Sequence, residues 1–232
     1  MLESLKELSE IPSHQILICT HSSFFVDMSL YKSICIITKE NPQTGTQPFQ
    51  YTKDLFEGID KAERKKKFNM AYWFNPDRSE LFFSKKVALV EGATEKIIFP
   101  LLATRLNIFN HDVSIIECGS KFNLKLYIAV LNAFKMRYIV IHDVDPITVE
   151  KSDNKYDGQK KTYDENNIIK NTLDTTYGKI ETFEPNFEKV AGISRSAVEN
   201  KGKPLAAMER FEDEKSSVPD RIDEVVRAIF TI

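Results

Sequence analysis

Leu89-Val90-Glu91-Gly92-Ala93-Thr94-Glu95-Lys96 closes an apolar run that begins at Val87, and Tyr138-Ile139-Val140-Ile141-His142-Asp143-Val144-Asp145-Pro146 repeats the arrangement about fifty residues later. Each stretch places carboxylates where a continuous apolar segment stops. A short, unbroken Val/Ile/Leu run is the pattern of a strand buried on both faces. Outward from the pair, Thr94 to Leu106 reads as a helix, Val113 to Glu117 as a strand and Leu124 to Phe134 as a helix. Strands alternating with helices imply a mainly parallel sheet flanked by helices, an α/β fold. In such sheets ligands bind at the carboxyl ends of the strands. Four acids gathered there would suit hard divalent cations, which prefer carboxylate oxygens.

Local geometry supports the convergence. Side chains alternate along a strand, so Asp143 and Asp145 are expected on one face, and Pro146 ends the strand because it has no amide to donate. Thr94 reads as the N-cap of the following helix. Glu95 then falls in its first turn, near the positive end of the helix dipole.

The remainder of the chain is less regular. Leu2 to Leu8 has helical spacing, Ile16 to Cys19 is an apolar run with the pattern of a buried strand, and Ser33 to Thr38 is a further strand before a turn-rich break from Glu40 to Pro48. Asp54 to Phe68 reads as a helix. Its basic residues Lys61, Arg64, Lys65, Lys66 and Lys67, with Phe68, Tyr72 and Trp73 nearby, offer phosphate contacts and stacking surfaces, although a solvated helix face beside a packed aromatic cluster is the slightly favoured reading. Residues 146–163 are polar, carry Lys151, Lys155, Lys160 and Lys161, and read as a mobile loop beside the second acidic cluster, placed to bind nucleic-acid phosphates. Asn166 to Leu173, Leu205 to Phe211 and Ile222 to Phe230 read as helices, and Lys179 to Phe183 as a strand. The organisation is 1–78 and 79–232.

Composition narrows the class. The chain has 232 residues, 42% hydrophobic and 28% charged, with a net charge of −2. That balance fits an ordinary globular protein and does not advertise a basic nucleic-acid binder. Cys19, Cys35 and Cys118 have no zinc-ligand spacing, and Cys19 and Cys118 sit in apolar runs as buried thiols. With no secretory leader and no apolar stretch of about 20 residues, the expected location is cytoplasmic, away from any membrane.

The segment Glu80 to Lys96, together with Tyr138 to Pro146, resembles the Toprim domain of the OLD (overcoming lysogenization defect) family of nucleases. The resemblance covers about residues 80–230. It implies a Toprim-like Rossmannoid fold and a metal-dependent endonuclease that hydrolyses DNA phosphodiester bonds with two divalent cations, Mg or Mn. By resemblance Glu91, Glu95, Asp143 and Asp145 are metal ligands, and Glu91 is also catalytic. A later acid falls at Glu184 or Glu188, with Glu184 favoured, and the catalytic lysine at Lys203. An RNA nuclease and a non-catalytic Toprim-like module that binds nucleic acid or a partner remain as alternatives.

The stretch Gln15 to Phe25 resembles the end of an ABC-type ATPase domain, in which a histidine after a strand senses the nucleotide; His21 holds that position. No G-x-x-x-x-G-K-[ST] phosphate loop occurs in the sequence. ATP therefore belongs to a full-length parent containing the ATPase part, and this chain alone is not expected to hydrolyse it. The expected partners are DNA, with RNA as the alternative, and an ATPase domain or subunit. By analogy with relatives that assemble through their ATPase parts, a homo-oligomer is also expected. The setting implied is anti-phage defence.

Overall fold

The computed structural model describes residues 1–39, 41–55, 76–213 and 216–231. The chain forms two compact units, Met1–Phe83 and Ser84–Ile232, a division slightly beyond the boundary read at 78.

The amino-terminal unit has little regular structure among its described residues. Helix α1 (Leu2–Ser9) is anchored by Lys6, whose ammonium pairs with Glu3 at 2.9 Å and Asp27 at 2.6 Å. Two 3₁₀ segments follow, Ser23–Phe25 and Met28–Ser33. Strands β1 (Cys35–Thr38) and β2 (Gln47–Gln50) then pair antiparallel in the register Cys35↔Gln50 to Thr38↔Gln47. The strand expected over Ile16–Cys19 does not form: these residues are irregular, Leu17 is 88% exposed, and Cys19 is exposed where a buried thiol was expected. An apolar run becomes a strand only where another strand accepts its backbone hydrogen bonds, and no described strand pairs with this one.

The carboxy-terminal unit is built on alternation. Its elements in chain order are β3 (Lys86–Val90), α2 (Ala93–Arg105), β4 (Val113–Glu117), α3 (Lys121–Ala133), β5 (Arg137–Asp143), α4 (Tyr156–Thr172), β6 (Gly178–Phe183), α5 (Phe187–Val190), α6 (Arg195–Lys201), α7 (Lys203–Glu212) and α8 (Asp220–Phe230). The sheet order is β4-β3-β5-β6, with every pair parallel. β3 and β5 lie at the centre, so both are covered on two faces and can be apolar throughout; all five residues of β3 are buried. Ala88, Val90, Ile139 and Ile141 pack on one face in a core with Phe99 and Leu102 of α2, Phe211 of α7 and Val225, Val226 and Ile229 of α8. The other face carries Leu89 and Val140 beneath α3, whose Leu124, Ile128 and Leu131 are fully buried. At about 25 cal/mol per Å² of apolar area removed from water, these two layers supply the main driving force for the fold.

The stretch read as a loop over 146–163 is shorter than expected, because α4 begins at Tyr156. The polar face of α4 hides it from a search for apolar periodicity: Ile169 is its one fully buried apolar residue, and only Glu165 accompanies it among its buried residues. Two short helices, α5 and α6, also went unread. Each is capped by a polar side chain, Asn186 accepting the Lys189 amide and Ser194 accepting the Ala197 amide.

Candidate active site

All four strands run in one direction, so their carboxyl ends lie at one edge of the sheet, and the acids meet there. Glu91 follows β3 directly. Gly92, not Thr94, is the N-cap of α2; Thr94 is buried in the first turn. That shift puts Glu95 three residues past the cap, where its carboxylate accepts its own backbone amide. On β5, Asp143 is the last strand residue, and its N–H donates to Glu91 Oε1 at 2.8 Å. Asp143 Oδ1 in turn accepts the Phe187 N–H at 2.8 Å, the first amide of α5. The two acidic stretches and the segment after β6 are thus tied through main-chain donors.

An open cleft of about 390 Å³ lies at this edge, lined by Glu91, Glu95, Asp143, Glu188 and Lys203. Lys203 opens α7 immediately after Gly202, whose φ of +80° belongs to the left-handed region that glycine enters without steric cost. Its ammonium contacts Glu188 Oε1 at 2.6 Å. Gly119 and Ser120, from the connection after β4, complete the wall.

Electrostatics set these acids apart. Burial, opposed in part by the Asp143 amide and by Lys121, pushes Glu91 up to about 7. Burial, reinforced by Asp143 and Glu188, pushes Glu95 up to about 7. Asp143 rises to about 8 through burial and then the charge of Glu91. For Lys203, burial pulls the ammonium down, but the Glu188 contact and the charges of Glu188, Asp143 and Glu95 outweigh it, and the net shift is upward. Burial is the first cause of all three shifts and the neighbouring carboxylates add to it, so the charged forms are disfavoured in this cleft.

Two of the expected residues stand apart. Asp145 lies beyond the strand with φ +51°, so strand alternation does not carry it to the same position as Asp143. It is not part of the cleft lining, and its Oδ2 sits 3.2 Å from the Lys121 ammonium. Glu184, favoured over Glu188 from sequence, is exposed and outside the lining, whereas Glu188 is in the cleft. Glu184 ends the strand side of the turn, and the chain must pass Pro185 and Asn186 before α5 turns Glu188 inward. Among the described residues, no three His, Cys, Asp or Glu side chains form a ready-made metal cage. The donor set is nonetheless all carboxylate oxygen, which fits Mg or Mn rather than a softer ion.

The lysines of the β5–α4 region do not line the cleft. Lys151 and Lys155 are exposed, Lys160 pairs with Asp164 one helical turn on, and the Lys161 ammonium lies 5.4 Å from the centre of the Phe122 ring. The basic run at 61–67 with Phe68, Tyr72 and Trp73 falls outside the described residues. His21 is exposed in the amino-terminal unit, its ring centre 6.2 Å from that of Phe83. Lys121 was missed from sequence. The available signal was its place in Gly119-Ser120-Lys121, at the carboxyl end of a third parallel strand, where the same topological argument applies.

Residues 82–145 match the family model described as "Overcoming lysogenization defect protein-like, TOPRIM domain". Over this segment the chain is similar to an OLD-like Toprim domain. Glu91, Glu95, Asp143 and Asp145 all fall inside the matched Toprim segment, while Glu188 and Lys203 lie beyond it. The chain is also 23% identical over 235 residues to a protein named OLD nuclease from Thermus scotoductus, covering 97% of this chain and 43% of that one. It therefore spans less than half the length of that relative. Solved structures with likeness to it include the C-terminal region of the Burkholderia pseudomallei OLD protein (16% identity, 63% of this chain and 82% of that one, TM-score 0.33). Another is the C-terminal region of the Xanthomonas campestris pv. campestris OLD protein (16% identity, 64% and 81%, TM-score 0.31). Among the described residues, no helix is long and apolar enough to cross a membrane.

Proposed function

We propose that the cleft is the centre of a divalent-metal-dependent endonuclease that hydrolyses DNA phosphodiester bonds. The observation that carries the reading is the crowding of Glu91, Glu95 and Asp143 in one cleft with their proton affinities raised together. Such a cluster is relieved by cations. Glu91, Glu95, Asp143 and Glu188 would hold two Mg or Mn ions, with Asp145 joining only by leaving Lys121. Bound there, the metals supply Lewis acidity at the attacking and leaving oxygens.

The chain's own groups do the rest. The Asp143 amide orients Glu91, the Phe187 amide orients Asp143, and Glu188 positions the Lys203 ammonium at the rim of the cleft. A phosphodiester entering beside Lys203 gains a fixed positive charge where negative charge develops. Lys151, Lys155, Lys160 and Lys161 would act as outlying phosphate contacts, giving affinity that falls with salt. The amino-terminal unit would be the tail of an ABC-type ATPase region, with His21 as its nucleotide sensor and ATP bound only by a longer parent or partner subunit. Cytoplasmic anti-phage defence and a homo-oligomer built through the ATPase parts complete the proposal.

Incubation with supercoiled plasmid and with labelled RNA, in Mg²⁺, Mn²⁺ or chelator, tests it. Metal-dependent nicking or linearisation of plasmid is expected. Cutting of RNA alone would replace DNA as the substrate. Cutting of neither would favour the non-catalytic module, which the lack of a ready-made cage among the described residues also allows.

A further inference from the structure

The lysine that sequence reading overlooked has an unusual setting. Lys121 is 3% exposed and sits in the first turn of α3. Neither fact favours stability. A cation in the first turn opposes the helix dipole, and desolvating an ammonium is unfavourable unless its partners offset the loss of water. Residues that break such rules concentrate where function demands them.

Its partners are all on one short segment. The ammonium donates to the Asp143 carbonyl, to the Val144 carbonyl at 3.3 Å and to Asp145 Oδ2 at 3.2 Å, so each of its three protons has an acceptor. The amides of this segment have acceptors of their own: Asp143 has Glu91, which follows β3, Val144 has the Phe183 carbonyl at 2.9 Å and Asp145 the Pro185 carbonyl at 3.0 Å. Val144 O receives further support from Asn166 at 2.8 Å. The Asp145 carboxylate contacts the Lys121 ammonium, and that contact coincides with its place outside the cleft lining.

We infer that Lys121 is a positioning residue for the cleft: its ammonium clamps the carboxyl end of β5, presenting Asp143 to the cleft and restraining Asp145 beside it. The inference rests on the reading of the cleft as a cation centre. It makes a prediction opposite in sign to simple charge. Removing a nearby positive charge should, by Coulomb attraction alone, tighten the binding of a divalent cation. Removing a clamp should weaken it, because Asp143 loses the main-chain support that presents its carboxylate to the cleft. Groups that orient ligands typically change metal affinity by about 10–100-fold when removed.

The test is Mn²⁺ binding to the full chain by titration calorimetry, with no nucleic acid present, for wild type and Lys121→Met, with thermal unfolding as the check on folding. Lys121→Met is expected to bind Mn²⁺ about tenfold or more weakly while still unfolding cooperatively. Equal or tighter binding by a folded Lys121→Met overturns the inference. Should that variant lack a cooperative transition, Lys121→Gln keeps donors for the carbonyls but not the charge. Weaker binding than wild type is expected of it, and wild-type affinity overturns the inference. A wild type that binds Mn²⁺ but cuts neither DNA nor RNA removes the nuclease reading and leaves the Lys121 comparison to stand or fall by itself. A wild type that binds no Mn²⁺ overturns both.

Discussion

The two ends of the parallel sheet bury charge in opposite ways. At the amino end, Lys86 is 9% exposed, and its ammonium donates to the Ala228 carbonyl at 2.5 Å and the Thr231 carbonyl at 2.7 Å, closing the end of α8. At the carboxyl end, Glu91, Glu95 and Asp143 line one cleft with proton affinities raised. A buried cation given backbone acceptors is a fastening. Buried like charges with too few donors form a site prepared for something else. Burial alone does not separate the two cases; the partners do.

The comparison breaks first at the carboxyl end. Asp143→Asn and Glu91→Gln are each expected to cut plasmid cleavage by about 10³-fold. At pH 8 without metal, each should raise the thermal midpoint by about 2–4 °C, because a repulsive charge is removed. A falling midpoint in both would make these acids structural, like Lys86. At the amino end, Gly178→Ala tests packing. A Cβ there would lie 2.3 Å from Tyr138 Cζ, and Tyr138 is 1% exposed. A stability loss of about 3 kcal/mol is expected by denaturant unfolding, with cleavage per folded molecule retained. Lys86→Met leaves two carbonyls short of a donor but also removes a desolvated charge, so a smaller loss of about 1–2 kcal/mol is expected, with cleavage within about twofold of wild type.

The pH dependence sharpens the contrast further. The three carboxyls have folded values of about 7, 7 and 8, above their ordinary 4.5, 4.5 and 3.8. The folded state therefore holds more protons, and the stability they contribute is fully present below about pH 4 and lost as pH rises through 7–8. Lys86, lowered by burial to about 8 from 10.5, acts the other way: the unfolded chain holds more protons there, and stability rises from about pH 8 to 10.5. Midpoints measured without metal should fall from pH 6 to 8, and Lys86→Met should abolish the gain above 8. Mn²⁺ should raise the midpoint more at pH 8 than at pH 6, since protons compete for the same oxygens. The smallest effect belongs to Glu184→Gln, expected to change cleavage by less than about twofold, because its exposed carboxyl is outside the cleft lining.

The sheet could be read from sequence because its central strands are apolar on both faces and its acids stop those runs; the strand read at Val113 to Glu117 has the observed limits. Helix α4 escaped because its buried contribution is slight, and Ile16–Cys19 misled because an apolar run does not announce its hydrogen-bond partner. Within the cleft, Glu91, Glu95, Asp143 and Lys203 were legible, whereas Glu188 was ranked second to Glu184. A choice between acids four residues apart depends on where a short helix starts, and α5 is set by the Asn186 cap rather than by apolar spacing. For Lys121 the sequence shows its place after a third parallel strand but not its role, because its partners are two backbone carbonyls and a residue that left the strand path through a positive φ.

The bond from the Asp143 amide to Glu91 has a practical consequence for anyone dissecting this protein. The donor belongs to the main chain, so it survives any replacement at position 143 except proline. Exchanging that side chain therefore leaves the neighbouring glutamate moored, and Asp143→Asn, which keeps an oxygen to accept the Phe187 amide, isolates the loss of the carboxylate charge. Glutamate 91 offers no such insulation: trimming it also cuts the mooring line of the adjoining strand, and its phenotype will always be a compound one.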